Sequence, residues 1–220
     1  VKALAAFVLP VLLSATVQAD LVIVQKVDGA GQSGEQTIRI KGDKARTDLA
    51  QQVSVITDGA TGEGITLMHA QRSYFKVTAA QAKSMMDQLK KQRGDGEAPK
   101  LQPTGKKEKI GAYECEVFTA TLGELGVTYW IAKTFPNYQS VLAQMEKLQG
   151  GAISAMGRGV MPDLRDFPGM PMKTEMELGG KKVSTTVTSV KEENVDPAIF
   201  AIPKDYKEAQ AQMPDLQLQK

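Results

Sequence analysis

Between Leu21 and Val77 apolar and polar positions alternate in short runs separated by turn residues, the period-two pattern of strands that bury one face. Ile38 and Ile40 alternate with Thr37, Arg39 and Lys41, Gly42-Asp43 turns the chain, and Lys44 to Leu49 alternates again. Gln52 to Thr57, Gly64 to His69 and Ser73 to Val77 extend the meander across Asp58-Gly59, Thr61-Gly62 and Gln71-Arg72. The period then changes. Thr78 and Gln81 have capping-box spacing, and Ala82, Met85, Met86 and Leu89 share one helical face opposite Lys83, Asp87 and Lys90, which predicts a helix over Ala79 to Gln92. The Gly-, Pro-, Lys- and Glu-rich stretch Gln92 to Lys107 reads as an exposed, mobile connection.

Strand patterning resumes at Tyr113, Cys115, Val117 and Thr119 against Glu114 and Glu116, with a partner from Val127 to Lys133. A second helix follows Pro136, its apolar side Tyr138, Val141, Leu142, Met145 and Leu148, its polar side Gln139, Gln144 and Lys147. From Gln149 to Pro171 no period is visible. Met172, Thr174, Met176 and Leu178 then alternate with Lys173, Glu175 and Glu177, Gly179-Gly180 turns, and Val183 to Val190 returns, the clearest hairpin in the chain. Pro197 to Pro203 is an apolar clasp, and a polar tail starts at Glu208. Together these elements predict a mainly β fold with α: a curved antiparallel open β-barrel of about nine or more strands with two inserted amphipathic helices. A long sheet must curl to limit its edges, and helices laid into its concave side would cover an apolar interior.

Upstream, Lys2 precedes a charge-free apolar stretch from Ala3 to Val17, and Val17 and Ala19 are the small residues that a signal peptidase reads. Pro10 interrupts a run shorter than the roughly 20 residues of a bilayer-spanning helix, so residues 1–19 are expected to be a secretory signal cleaved before Asp20. The expected layout is a single β-rich domain over 20–207 and a tail over 208–220, in a periplasmic or secreted protein with no transmembrane anchor after cleavage.

Charge and composition narrow the chemistry. Lys and Arg number 27 against 25 Asp and Glu, too balanced for binding driven by phosphate neutralisation, so no nucleic-acid partner is expected. Cys115 is the only cysteine, so no intramolecular disulfide forms, and it reads as a small buried hydrophobe on a strand. His69 is the only histidine, which excludes metal sites built on several imidazoles and makes it the one base available to a Ser-His-Asp triad. It reads as a packed or edge residue. No nucleophile elbow, zinc-protease pair, phosphate loop or calcium loop occurs, and no cofactor is expected.

The segments Ile38 to Asp48, Ile110 to Glu116, Trp130 to Lys133 and Val195 to Pro203 resemble an exported bacterial family known as a domain of unknown function, number 4412, over nearly the whole chain after the signal. That family is similar in expected fold to the LolA and LolB type of lipoprotein carrier, in which a curved antiparallel sheet wraps an apolar cavity lidded by helices. The resemblance implies a fold and a class of ligand, and carries over no catalytic residue. The lipobox cysteine of the membrane-anchored LolB receptor is absent, which argues against a terminal-acceptor role.

Function is then read from the methionines, six of the ten of which lie between Met145 and Met176. Thioethers suit surfaces that repack around variable apolar partners. The first reading is a non-enzymatic periplasmic binder or carrier of a lipid, acyl chain or lipoprotein anchor, its candidate ligand-binding residues Met85, Met86, Leu89, Val141, Met145, Met172 and Met176. The bland alternative makes each of these methionines ordinary core. An envelope structural module with an envelope-protein partner is the second reading. A Cu(I) site on Met170, Met172 and Met176 ranks below both, because known thioether clusters are denser or joined by histidine. Glu192-Glu193, the carboxylate pair open to an enzyme reading, looks like a solvated face.

Overall fold

The computed structural model describes residues 19–29, 32–84, 87, 99–122, 125–148, 162–178 and 180–209. The expected signal lies almost wholly outside these residues, as do Met85, Met86 and Leu89. A single sheet holds twelve strands: β1 Leu21–Gly29, β2 Gln32–Lys41, β3 Lys44–Leu49, β4 Val53–Asp58, β5 Gly64–Met68, β6 Ser73–Val77, β7 Gln102–Ile110, β8 Tyr113–Leu122, β9 Leu125–Ala132, β10 Met170–Leu178, β11 Lys181–Glu192 and β12 Lys207–Glu208. They run in the order β12-β6-β5-β4-β3-β2-β1-β11-β10-β9-β8-β7. Every pair is antiparallel except β12 on β6, and the sheet is curved and unclosed, as the patterning predicts.

Bulges supply part of the bend. Thr188 is the extra residue where β11 meets β1, its hydroxyl donating to the Val24 carbonyl, and Met172 is the extra residue where β10 meets β9. Each such insertion kinks the strand and raises its local twist. Helical structure enters after β6, over 79–84, and after β9 as Tyr138–Leu148, in the intervals the sequence predicts. Thr78 and Gln81 form the expected capping box: the Thr78 backbone N–H donates to Gln81 Oε1 at 2.8 Å.

Two cores lie on opposite faces of the sheet. On the helix face, Leu21, Ile23, Ile40, Tyr129, Ile131, Met170, Met172 and Val187 pack beneath Val141 and Leu142 of Tyr138–Leu148 and beneath Phe167. On the other face, Val22, Ile56 and Leu67 pack with Val195 and with Phe200 of the C-terminal clasp. Strand alternation assigns neighbouring residues of β1, Leu21 and Val22, to the two cores.

Three expectations are corrected. Residues 102–107 are not a loop but most of edge strand β7, whose residues are exposed from Gln102 to Lys109. Such a strand has no apolar face to reveal, and its Pro103 and its lysines are the residues that keep sheet edges from pairing with other chains. Gln144, assigned to the polar side of the second helix, is buried. His69, expected to end the strand Gly64 to His69, falls in the turn one residue beyond β5.

Candidate functional site

The helix face is covered unevenly. Over β1 and β9–β11 it is sealed by Tyr138–Leu148 and by the stretch through Phe167. Over β3–β6 the register places Val53, Val55, Met68, Phe75 and Val77 on the same face, and each remains half-buried among the described residues. Leu49 beside them is 38% exposed. Val53 lies directly across from Met68, and Thr66 sits between Val55 and Phe75, so these apolar side chains share one face of β4–β6 with Thr66 among them.

The sealed half has its own irregularity. Tyr129 is 1% exposed, its ring meets Phe167 edge-on at 5.2 Å and 88°, and its hydroxyl has no hydrogen-bond partner among the described residues. Burial pushes this phenol up to about 12, since the phenolate would be created away from water. A buried hydroxyl without a partner costs ~1–3 kcal/mol, so Tyr129 is a local polar penalty within the sealed half.

The sequence-derived candidates divide accordingly. Val141 and Met172 are buried in one core cluster, and Met145 and Met176 pack partly buried against that cluster. Met170 and Met172 are core residues of the same cluster. Among the described residues no group of three or more His, Cys, Asp or Glu side chains could hold a metal ion. Cys115 is fully buried and unpaired on β8, and burial pushes its thiol up.

On the clasp face lies a polar network invisible in the sequence. Asp48 pairs with Arg46 Nε at 2.7 Å and with Arg39 Nη1 at 2.5 Å. Ser54, fully buried, donates to Asp48 and accepts from Arg46 Nη2 at 2.9 Å. With that proton spent, His69 Nε2–H donates to Ser54 at 2.7 Å, and the Tyr206 hydroxyl donates to His69 Nδ1 at 2.6 Å. Arg46 Nη1 also donates to the Ile199 carbonyl at 2.8 Å. Burial by itself would raise the Asp48 carboxyl, but hydrogen bonds from Ser54 and Arg46 and the two guanidinium charges outweigh it and hold the carboxyl below its ordinary value.

This geometry ties the clasp to the sheet and does not arm a nucleophile. Ser54 gives its proton to a carboxylate and not to the imidazole, and the Arg46 guanidinium and the His69 N–H occupy its two lone pairs. His69 is therefore a packed linking residue, in keeping with the sequence reading.

The model of DUF4412, a domain of unknown function, matches residues 21–206, from the first strand to the end of the clasp. The chain belongs to the DUF4412 family. No curated protein matches this DUF4412 chain. Among solved structures it is similar to an uncharacterized conserved protein from Thermus thermophilus, at 9% identity and a TM-score of 0.48, over 88% of this chain and 92% of the other. It is also similar to a LolA superfamily protein from Nitrosomonas europaea, at 11% identity and a TM-score of 0.35, over 84% and 90%. PNGF-II matches at 13% identity and a TM-score of 0.43 over 88% of this chain, which spans only 31% of PNGF-II. Likenesses this distant say nothing about ligand or activity. Among the described residues of this DUF4412 protein, no helix is long and apolar enough to cross a membrane.

Proposed function

We propose that this protein is a non-enzymatic, exported envelope protein that binds an apolar ligand, an acyl chain or lipid, against the helix face of its open sheet. The observation that carries this reading is the uneven cover of that face: Val53, Val55, Met68, Phe75 and Val77 stay half-buried beside a sealed core of the same apolar character. Apolar surface left beside water gains ~25 cal/mol for each Å² that a ligand covers, and a chain of methylenes is the simplest group to supply that cover. A longer chain would enter among Val141, Met145, Met172 and Met176, members or neighbours of one core cluster, because thioether side chains repack at low cost. Tyr129 would then meet a carbonyl or carboxyl oxygen at the ligand's polar end. Met85, Met86 and Leu89 are proposed to close over the same chain.

The test is uptake of a fluorescent fatty-acid analogue by wild type, by Val55→Gln/Phe75→Gln and by Met85→Gln/Met86→Gln. Burying an amide without partners costs about 1–3 kcal/mol, so each pair is expected to weaken uptake at least tenfold. The thermal midpoint should move little for the half-buried pair Val55 and Phe75. Absence of saturable uptake by the wild type would end the carrier reading, and loss of stability in parallel with uptake would make these residues ordinary core.

A further inference from the structure

The clasp face carries a cleft of about 640 Å³ whose chemistry the carrier reading does not use. Its floor is polar. Glu35, Thr37 and Arg39 of β2 and Arg46 and Asp48 of β3 project into it, and the Ala50-Gln51 turn forms its lip. The charges are separated along the strand. At one end Arg39 and Arg46 share the single carboxylate of Asp48, which leaves one positive charge over. Arg46 spends three of its five N–H groups on Asp48, Ser54 and Ile199, whereas Arg39 spends one, on Asp48, so more of the spare donors belong to Arg39. At the other end Glu35 is exposed, and among the described residues its carboxylate has no partner; the side chains of Thr37 and Gln51 are likewise free of hydrogen bonds there.

A second observation concerns the lip. Ala50 and Gln51 both have positive φ, 44° and 59°, a conformation that side chains other than glycine or asparagine rarely adopt. The turn is held there by the Ala50 N–H donating to the Glu35 carbonyl at 3.0 Å, and it lies so close to β2 that a Cβ on Gly34 would meet Ala50 Cβ at 3.3 Å.

We infer that this cleft binds a small zwitterion, its anionic group on Arg39 and its ammonium on Glu35. Glu35 and Arg39 are four residues apart on one strand face, so their Cα atoms stand roughly 13 Å apart. Two charge-assisted hydrogen bonds of about 2.8 Å leave roughly 7 Å between the charges of the ligand when both side chains stand upright, and less when they lean together. Single-charge molecules fill only one end. An α-amino acid is too short to span both.

Untagged full-length chain gives a direct readout, because His69 lines the cleft and is the only histidine, so its imidazole proton resonance reports occupancy. The probes are glycine, 4-aminobutyrate and 6-aminohexanoate as a ruler, with butyrate and butylammonium as single-charge controls. The longer zwitterions are expected to shift the His69 resonance saturably and to bind at least tenfold more tightly than glycine or either control. Glu35→Gln, a change at an exposed side chain, should abolish the advantage over butyrate while leaving the thermal midpoint unchanged. No saturable shift, equal binding of butyrate, or an unaltered preference in Glu35→Gln would overturn the inference. O-Phosphoethanolamine and vesicles of phosphatidylethanolamine separate the two sources of such a zwitterion: binding of the vesicles assigns a lipid headgroup, and binding of the free compound alone assigns a soluble metabolite.

Discussion

Replacing Tyr129 by phenylalanine removes one oxygen and nothing else. The ring is 1% exposed and edge-on to Phe167, and both features survive the change. What disappears is a hydroxyl with no partner among the described residues, whose burial costs ~1–3 kcal/mol, so the ligand-free variant should be more stable than wild type by that amount. For a domain of this size each kcal/mol moves the midpoint by about 2–4 °C, which gives a rise of roughly 2–12 °C by differential scanning calorimetry. The pH dependence carries a second signature. The folded phenol titrates near 12 and an unfolded one near ~10, so the wild type is fully stabilised below pH ~10 and loses stability as pH rises from there through 12. Tyr129→Phe should lack this part of the alkaline loss. A midpoint lowered by several degrees would show that the hydroxyl is satisfied in the free protein and would refute both the penalty and its use as a marker for a ligand's polar end.

Three further outcomes are expected. Gln51→Gly, at a φ of 59°, relieves left-handed strain and should raise stability by about 1 kcal/mol, read from the midpoint of urea unfolding. Tyr206→Phe deletes the donor to His69 Nδ1 and should loosen the clasp, seen as faster amide exchange at Val195, Ile199 and Ala201 with the helix-face core unaffected; uniform exchange across the sheet would contradict this. The Asp48 carboxyl is held below its ordinary value, so its contribution is present above pH ~4 and is lost as pH falls through the folded value. Clasp amides should therefore lose protection first on acidification, and Asp48→Asn should flatten that response.

The architecture was legible where one face of an element is apolar and the other is not. Met172 to Leu178 against Val183 to Val190, and Val141, Leu142 and Met145 on one helical side, announce themselves by period alone. Strand β7 did not, because it is exposed on both sides and its lysines, proline and glycine are those of a loop. The clasp-face network was illegible for a different reason. Ser54, His69 and Tyr206 are joined by two hydrogen bonds, one of which spans 137 positions in sequence, and only the strand register puts Arg46, Asp48 and Ser54 on one face. Polar alternation in β3 said that Arg46 and Asp48 point away from the helix-face core, but could not say that another segment waits there to meet them. The cleft shares this obscurity: Glu35 and Arg39 become its two ends only once the turn at Ala50 and Gln51 folds over β2.

The place of β1 in the sheet has a consequence for how the chain reaches its fold. It is the first of the described strands along the chain, yet it lies between β2 and β11, and the bulge that joins it to β11 links residues 164 positions apart. The meander β1–β6 can zip up as it emerges, but its β1 edge must stay open until nearly the entire polypeptide has been released. Pairings of such long separation are slow, because the entropy of closing the loop is lost before any contact repays it. For that interval a row of unpaired amides sits beside Leu21, Val22 and Ile23, three residues that are buried in the finished protein. An open edge of this kind is prone to pair with other chains, and truncation anywhere before β11 would make it permanent.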